Sequence, residues 1–146
     1  VNNSDAFYNL AGCYARGELG MPRDFEEANE LFLKAGELGC SEAYCSLGYS
    51  YYIGRGVQMD KKKTKHFYEL GAMNGSVKAR HSLGIVEEDD GNEQKAYKHY
   101  IIAAKAGYKG SLDEVKEGFL NGMITKDEYA NTLRAYHDRC NEMKSD

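Results

Sequence analysis

Ala43-Tyr-Cys-Ser-Leu47-Gly48-Tyr-Ser-Tyr51-Tyr-Ile-Gly54-Arg-Gly56-Val57 decides the fold, because the chain writes it more than once. It is anticipated by Ala6-Phe-Tyr-Asn-Leu10-Ala-Gly-Cys-Tyr14-Ala-Arg-Gly17 and echoed by Ala79-Arg-His-Ser-Leu83-Gly84. Ala43 and Ala79 lie 36 residues apart, as do Asp24 and Asp60. A period of that size, holding two helical patterns per copy, marks a helix-turn-helix array in which each unit buries its apolar face against its neighbours. The spacing predicts repeats over about 6–42, 43–78 and 79–110, with a degenerate capping unit over 111–146.

Within each copy a first helix, A, carries Ala, then Leu four residues on, a small residue next, and usually an aromatic four after the Leu. Leu10 with Tyr14 and Leu47 with Tyr51 therefore share one face, expected to be core. Gly48 and Gly84 sit inside predicted helices, where glycine costs about 1 kcal/mol relative to alanine, so a close neighbour is expected there. Gly17 and Gly54 break the chain, and Asp24 or Asp60 caps the second helix, B. The third copy shortens its loop and places Glu87 in the aromatic slot. In the last unit Ser111, Val115 and Phe119 stand in for Ala, Leu and Tyr, and Thr125-Lys-Asp-Glu128 is a capping box that opens a polar final helix.

The bulk properties exclude several classes. Net charge is −4 and no stretch is basic enough to track phosphates, which argues against nucleic acid. No apolar run approaches the ~20 residues of a membrane span. The chain begins with Val, which reads as a fragment of a longer protein. Cys13, Cys40, Cys45 and Cys140 occupy non-recurring positions, so free thiols in a cytoplasmic, reducing setting are expected, with the lumen of the endoplasmic reticulum as the alternative. The glycosylation-type triplets Asn2-Asn-Ser4 and Asn74-Gly-Ser76 would matter only in the latter.

Ala43, Leu47, Gly48, Tyr51, Gly54, Gly56 and Val57, followed by Asp60 and Tyr68, closely resemble the Sel1-like repeat, a relative of the tetratricopeptide repeat. The resemblance covers residues 6–110 as three repeats. It implies an all-α fold, a right-handed α-solenoid with a C-terminal capping helix, that acts as an adaptor without an active site. A cysteine-rich branch of that family carries Cys-x7-Cys pairs and has been associated with β-lactam-like compounds. Cys40 and Cys45 lack that spacing.

Catalytic and metal-binding readings find little support. His137 and Cys140 share a helix face as base and nucleophile would, yet no orienting third group or oxyanion hole accompanies them. Glu87 to Asp90 with Glu93 lack the ordered ligand ladder of a calcium loop, and the usual zinc spacings are absent. No cofactor, metal or catalytic residue is expected.

If helix A lines the concave side, the positions two before the Leu, and two or five after it, face a groove. These are Tyr8, Gly12 and Ala15 in the first copy; Cys45, Tyr49 and Tyr52 in the second; His81, Ile85 and Glu88 in the third; and Asp113, Glu117 and Leu120 in the last. The floor is aromatic and turns acidic, which suits a protein or peptide partner with basic and apolar residues. The rival readings are an architectural spacer in a multidomain protein and a hydrolase of the cysteine-rich type.

Overall fold

The computed structural model describes residues 3–145, so Asn2 of the first glycosylation-type triplet lies outside the described residues. Eight helices follow one another, with no strand among the described residues: α1 (Asn3–Arg16), α2 (Phe25–Glu37), α3 (Ser41–Ile53), α4 (Lys61–Met73), α5 (Val77–Asp89), α6 (Glu93–Lys105), α7 (Lys109–Leu120) and α8 (Lys126–Ser145). The odd-numbered helices are the A helices and the even-numbered ones the B helices. Two compact units are distinguishable, one up to Ala79 and one from Arg80 onward.

In the first unit α2 packs on α1, α3 on α2, and α4 on α3. Its core holds Ala11, Ala28, Phe32, Ala35, Ala43 and Leu47. The Asp24 and Asp60 carboxylates accept the amides of Glu27 (3.1 Å) and Lys63 (3.0 Å), which fixes where α2 and α4 begin. Gly54, in the left-handed region, ends α3. The interior glycine has a specific cause: a Cβ on Gly48 would lie 2.6 Å from the Tyr68 ring, so the ring of helix B occupies the space a side chain would need. Phe67 is stacked between Tyr44 (6.2 Å) and Tyr51 (5.6 Å). Asn74, exposed at the C-terminal cap of α4, donates from Nδ2 to the Leu70 carbonyl at 2.8 Å.

One expected core position is open. Leu47 is 3% exposed but Leu10, in the same slot, is 37% exposed. Leu47 lies on a helix packed between α2 and α4, whereas α1, which carries Leu10, packs on α2.

In the second unit α6, α7 and α8 pack together around Ala96, Tyr100, Ala104, Val115 and Ile124. Tyr100 lies over Gly84 as Tyr68 lies over Gly48. Glu87 is buried, and the Asn92 side chain donates to it at 2.9 Å. The carboxylate thus fills the vacated aromatic slot. The capping box forms as the pattern requires: the Glu128 amide donates to Thr125 Oγ1 (3.1 Å) and the Thr125 amide to Glu128 Oε1 (3.2 Å).

Candidate partner-binding face

Both units place part of the expected face at the surface, each by its own geometry. On α3, Ala43, Tyr44, Cys45, Leu47, Gly48 and Ser50 are buried. A helix held between two others has a narrow open arc, and residues four apart share it. Tyr49, 44% exposed, and Ile53 occupy that arc. Tyr52 is half-buried, as is Tyr51, so the two do not differ as the repeat slots suggest.

Cys45 corrects the expectation outright. At 5% exposure it belongs to the core, because the position two before the Leu turns under the neighbouring helix, where a Cβ on Gly71 would lie 3.5 Å from the Cys45 amide nitrogen. Tyr8, in the equivalent slot of α1, is half-buried with its ring 5.8 Å from Phe32.

The same slot in α5 holds His81, which also turns inward. Its ring sits 5.2 Å from Tyr100 and 4.9 Å from Tyr108, and Nδ1 is 2.7 Å from Ser111 Oγ. Burial holds its pKa below the ordinary histidine value, against a smaller upward pull from Glu88. Ile85 and Glu88 are exposed on the same helix, and Asp113 and Glu117 are exposed on α7. Tyr100, fully buried, donates its hydroxyl to Glu88. Asp113 is partly neutralised by Lys109 at 3.3 Å.

Sequence reasoning missed a carboxylate at the centre of this face. Glu114 is half-buried, and burial first, then Glu88, Glu117 and Asp113, raise its pKa. Tyr97 is raised by burial and by Glu88, Glu93, Glu114 and Glu117. The second unit therefore presents a carboxylate-rich surface bordered by tyrosine. Glu114 carries no repeat signature, since it neighbours the buried Val115 and reads as an ordinary helix residue.

A second residue was missed in the first unit. Arg55, between Gly54 and Gly56, lays its guanidinium 4.6 Å over the Phe25 ring and 5.3 Å from that of Tyr49. Its backbone is held from below: Asn29 Nδ2 donates to the Arg55 carbonyl at 2.8 Å, and the Ser50 hydroxyl donates to Asn29 Oδ1 at 2.6 Å. Asn29 and Ser50 are both buried. Nearby, a cleft of about 480 Å³ is lined by Tyr51, Val57, Gln58, Met59, Asp60 and Lys63, but Asp60 is committed to its helix cap.

The other chemical candidates dissolve into local packing. The Tyr136 hydroxyl bonds to Cys140, which raises its pKa, while the His137 ring meets Tyr136 edge-on at 5.5 Å. Cys13, Cys40, Cys45 and Cys140 carry free thiols. Among the described residues, no group of three or more His, Cys, Asp or Glu side chains is arranged to hold a metal ion, and no helix is long and apolar enough to cross a membrane.

Comparison with known proteins accounts for the period. The family model of the Sel1 repeat matches residues 4–40, 41–76 and 80–108, more than half of the chain. A Sel1 repeat protein from Oxalobacter formigenes superposes with a TM-score of 0.79 at 26% identity, over 94% of this chain and 59% of that one. The protective antigen c5321 of uropathogenic Escherichia coli, described as displaying an SLR fold, gives 0.77 at 26% identity, over 95% of this chain and 30% of that one. MamA gives 0.51 at 19% identity, over 99% and 82%, a likeness of fold alone. The chain thus spans about three fifths of the length of the first of these and under a third of the second. No curated protein matches it in sequence.

Proposed function

Because the chain belongs to the Sel1 repeat family, all-α solenoid proteins that generally serve as protein-interaction scaffolds, we propose that it is a non-enzymatic adaptor whose concave A-helix face holds a segment of a partner protein. The observation that carries this reading is Tyr49: α3 is buried at six positions, yet it turns a large aromatic to the surface. Ile85 is exposed in the corresponding slot of α5. Tyrosine offers a wide contact area with few rotors to freeze, which suits recognition. In the second unit the carboxylates of Glu88, Glu114 and Glu117 favour basic residues in the partner. The four free thiols suit a reducing compartment such as the cytoplasm.

Replacing Tyr49 and Tyr52 together with alanine tests the proposal. Exposed positions change stability by under ~0.5 kcal/mol, whereas a recognition anchor contributes ~2 kcal/mol or more to binding. The double variant should melt close to wild type and lose its partners in pull-downs. A variant that stays folded and captures the same proteins leaves the architectural spacer as the better reading. One that unfolds as Leu47→Ala does makes the tyrosines core.

A further inference from the structure

The guanidinium of Arg55 has an unusual environment for a charge. Phe25 and Tyr49 flank it, its Nε is buried with no hydrogen-bond partner, and among the described residues it has no carboxylate partner. Arg23 sits over the same Phe25 ring at 5.8 Å, also without a carboxylate partner among the described residues. The nearest acidic residue in sequence, Asp24, is committed to the Glu27 amide. Aromatic stacking holds the guanidinium plane but does not neutralise it, and removing water on one edge strengthens its attraction for an anion on the other.

The position is also preorganised. The Asn29 and Ser50 bonds fix the Arg55 backbone, and Gly56 fits against the start of α2 so closely that a Cβ there would lie 2.7 Å from the Phe25 backbone. A fixed, planar, partly desolvated fork beside an exposed tyrosine is built to receive a carboxylate in two parallel hydrogen bonds.

Resting on the adaptor reading above, we infer that the terminal nitrogens of Arg55, beside the exposed face of Tyr49 and supported by Arg23, bind an aspartate or glutamate side chain of the partner segment. The partner then carries an acidic residue where it meets the first unit, set next to an apolar or aromatic residue that covers Tyr49.

Short random peptides displayed on phage and selected on the wild-type protein supply the probe. Selected peptides should be enriched in Asp and Glu, and binding of the resynthesised peptides should weaken about tenfold or more in R55Q. Changing the peptide's Glu to Gln should cost wild type a similar factor and cost R55Q almost nothing, because only a shared contact makes the two losses non-additive. R55K, which keeps the charge and loses the fork, should fall between the two and also guards against a folding defect in R55Q. Peptides that bind R55Q as tightly as wild type, or whose Glu to Gln change has no effect, overturn the inference; if Y49A/Y52A still abolishes their binding, the adaptor face itself stands. Peptides that bind Y49A/Y52A undiminished sink that face instead. Inorganic phosphate shifting the Arg55 Nε–H resonance while acidic peptides leave it unmoved also overturns the inference, marking a free-anion site.

Discussion

Gly48 and Gly12 are both helical glycines in A helices, and only their neighbours tell them apart. A Cβ on Gly48 would meet the body of the Tyr68 ring at 2.6 Å, and that ring is itself buried. A Cβ on Gly12 would meet only the tip of Arg16 at 2.9 Å, the flexible end of an exposed side chain. Alanine gains about 1 kcal/mol of helix propensity at either site, while overpacking a core costs about 1–3 kcal/mol. Gly48→Ala should therefore lower stability in denaturant melts and Gly12→Ala should raise it or leave it level; a stabilised Gly48→Ala removes the ring-packing account. His81 gives a second outcome at this scale. Burial lowers its pKa below the 6.5 of the unfolded chain, so the folded state resists protonation. Its contribution is complete above that value and is lost as pH falls through the folded pKa. Thermal stability should drop on going from about pH 7 to about pH 5, and less steeply in H81Q. Glu114, with a raised pKa, works in the opposite direction, its contribution present at acid pH and lost as pH rises, so it cannot mimic the effect.

Among the elements, α2 and α4 share a cap but not a first turn. Asp24 is followed by Glu26 and Glu27, which suit the positive end of the helix dipole, whereas Asp60 is followed by Lys61, Lys62 and Lys63, which oppose it. A lost N-cap costs about 1 kcal/mol, and Asp60→Ala should cost more than Asp24→Ala because no other acid supports that turn. Equal losses on chemical denaturation would show the cap acting through its hydrogen bond alone. Such features were legible because Asp before a helix, or Thr-x-x-Glu, has one physical use. The start of α3 was not legible in this way, since Cys40 precedes it without a side-chain cap. The candidate face was read only in part. The slot two after the Leu is exposed at Tyr49, Ile85 and Glu117 but buried at Gly12, and the slot two before it turns inward at Cys45 and His81 yet is exposed at Asp113. A helical wheel gives angles but not how much of the circumference the neighbouring helices cover. Arg55 escaped for a related reason: a loop residue between glycines has no periodicity, and its stacking partner Phe25 lies in the preceding repeat.

At the scale of the whole molecule, the repeat explains why sequence alone conveyed so much of the fold. Contacts run between neighbours along the chain, so a period read locally already implies the packing, as it would not in a fold built on distant pairings. The same locality governs how stability is distributed. The core around Phe32 and Leu47 and the core around Tyr100 and Val115 draw on separate sets of residues, one in each unit. In a repeat array, stability is close to a sum of unit and nearest-neighbour terms, so damage to one core should not spread evenly. Phe32→Leu, costing about 1 kcal/mol, should raise hydrogen exchange in α1 to α3 while amides in α6 to α8 keep near-wild-type rates. Val115→Ala, costing about 2 kcal/mol, should do the reverse. If either substitution lowers protection equally in both groups of helices, the units unfold as one cooperative body, and the nearest-neighbour description fails for this chain.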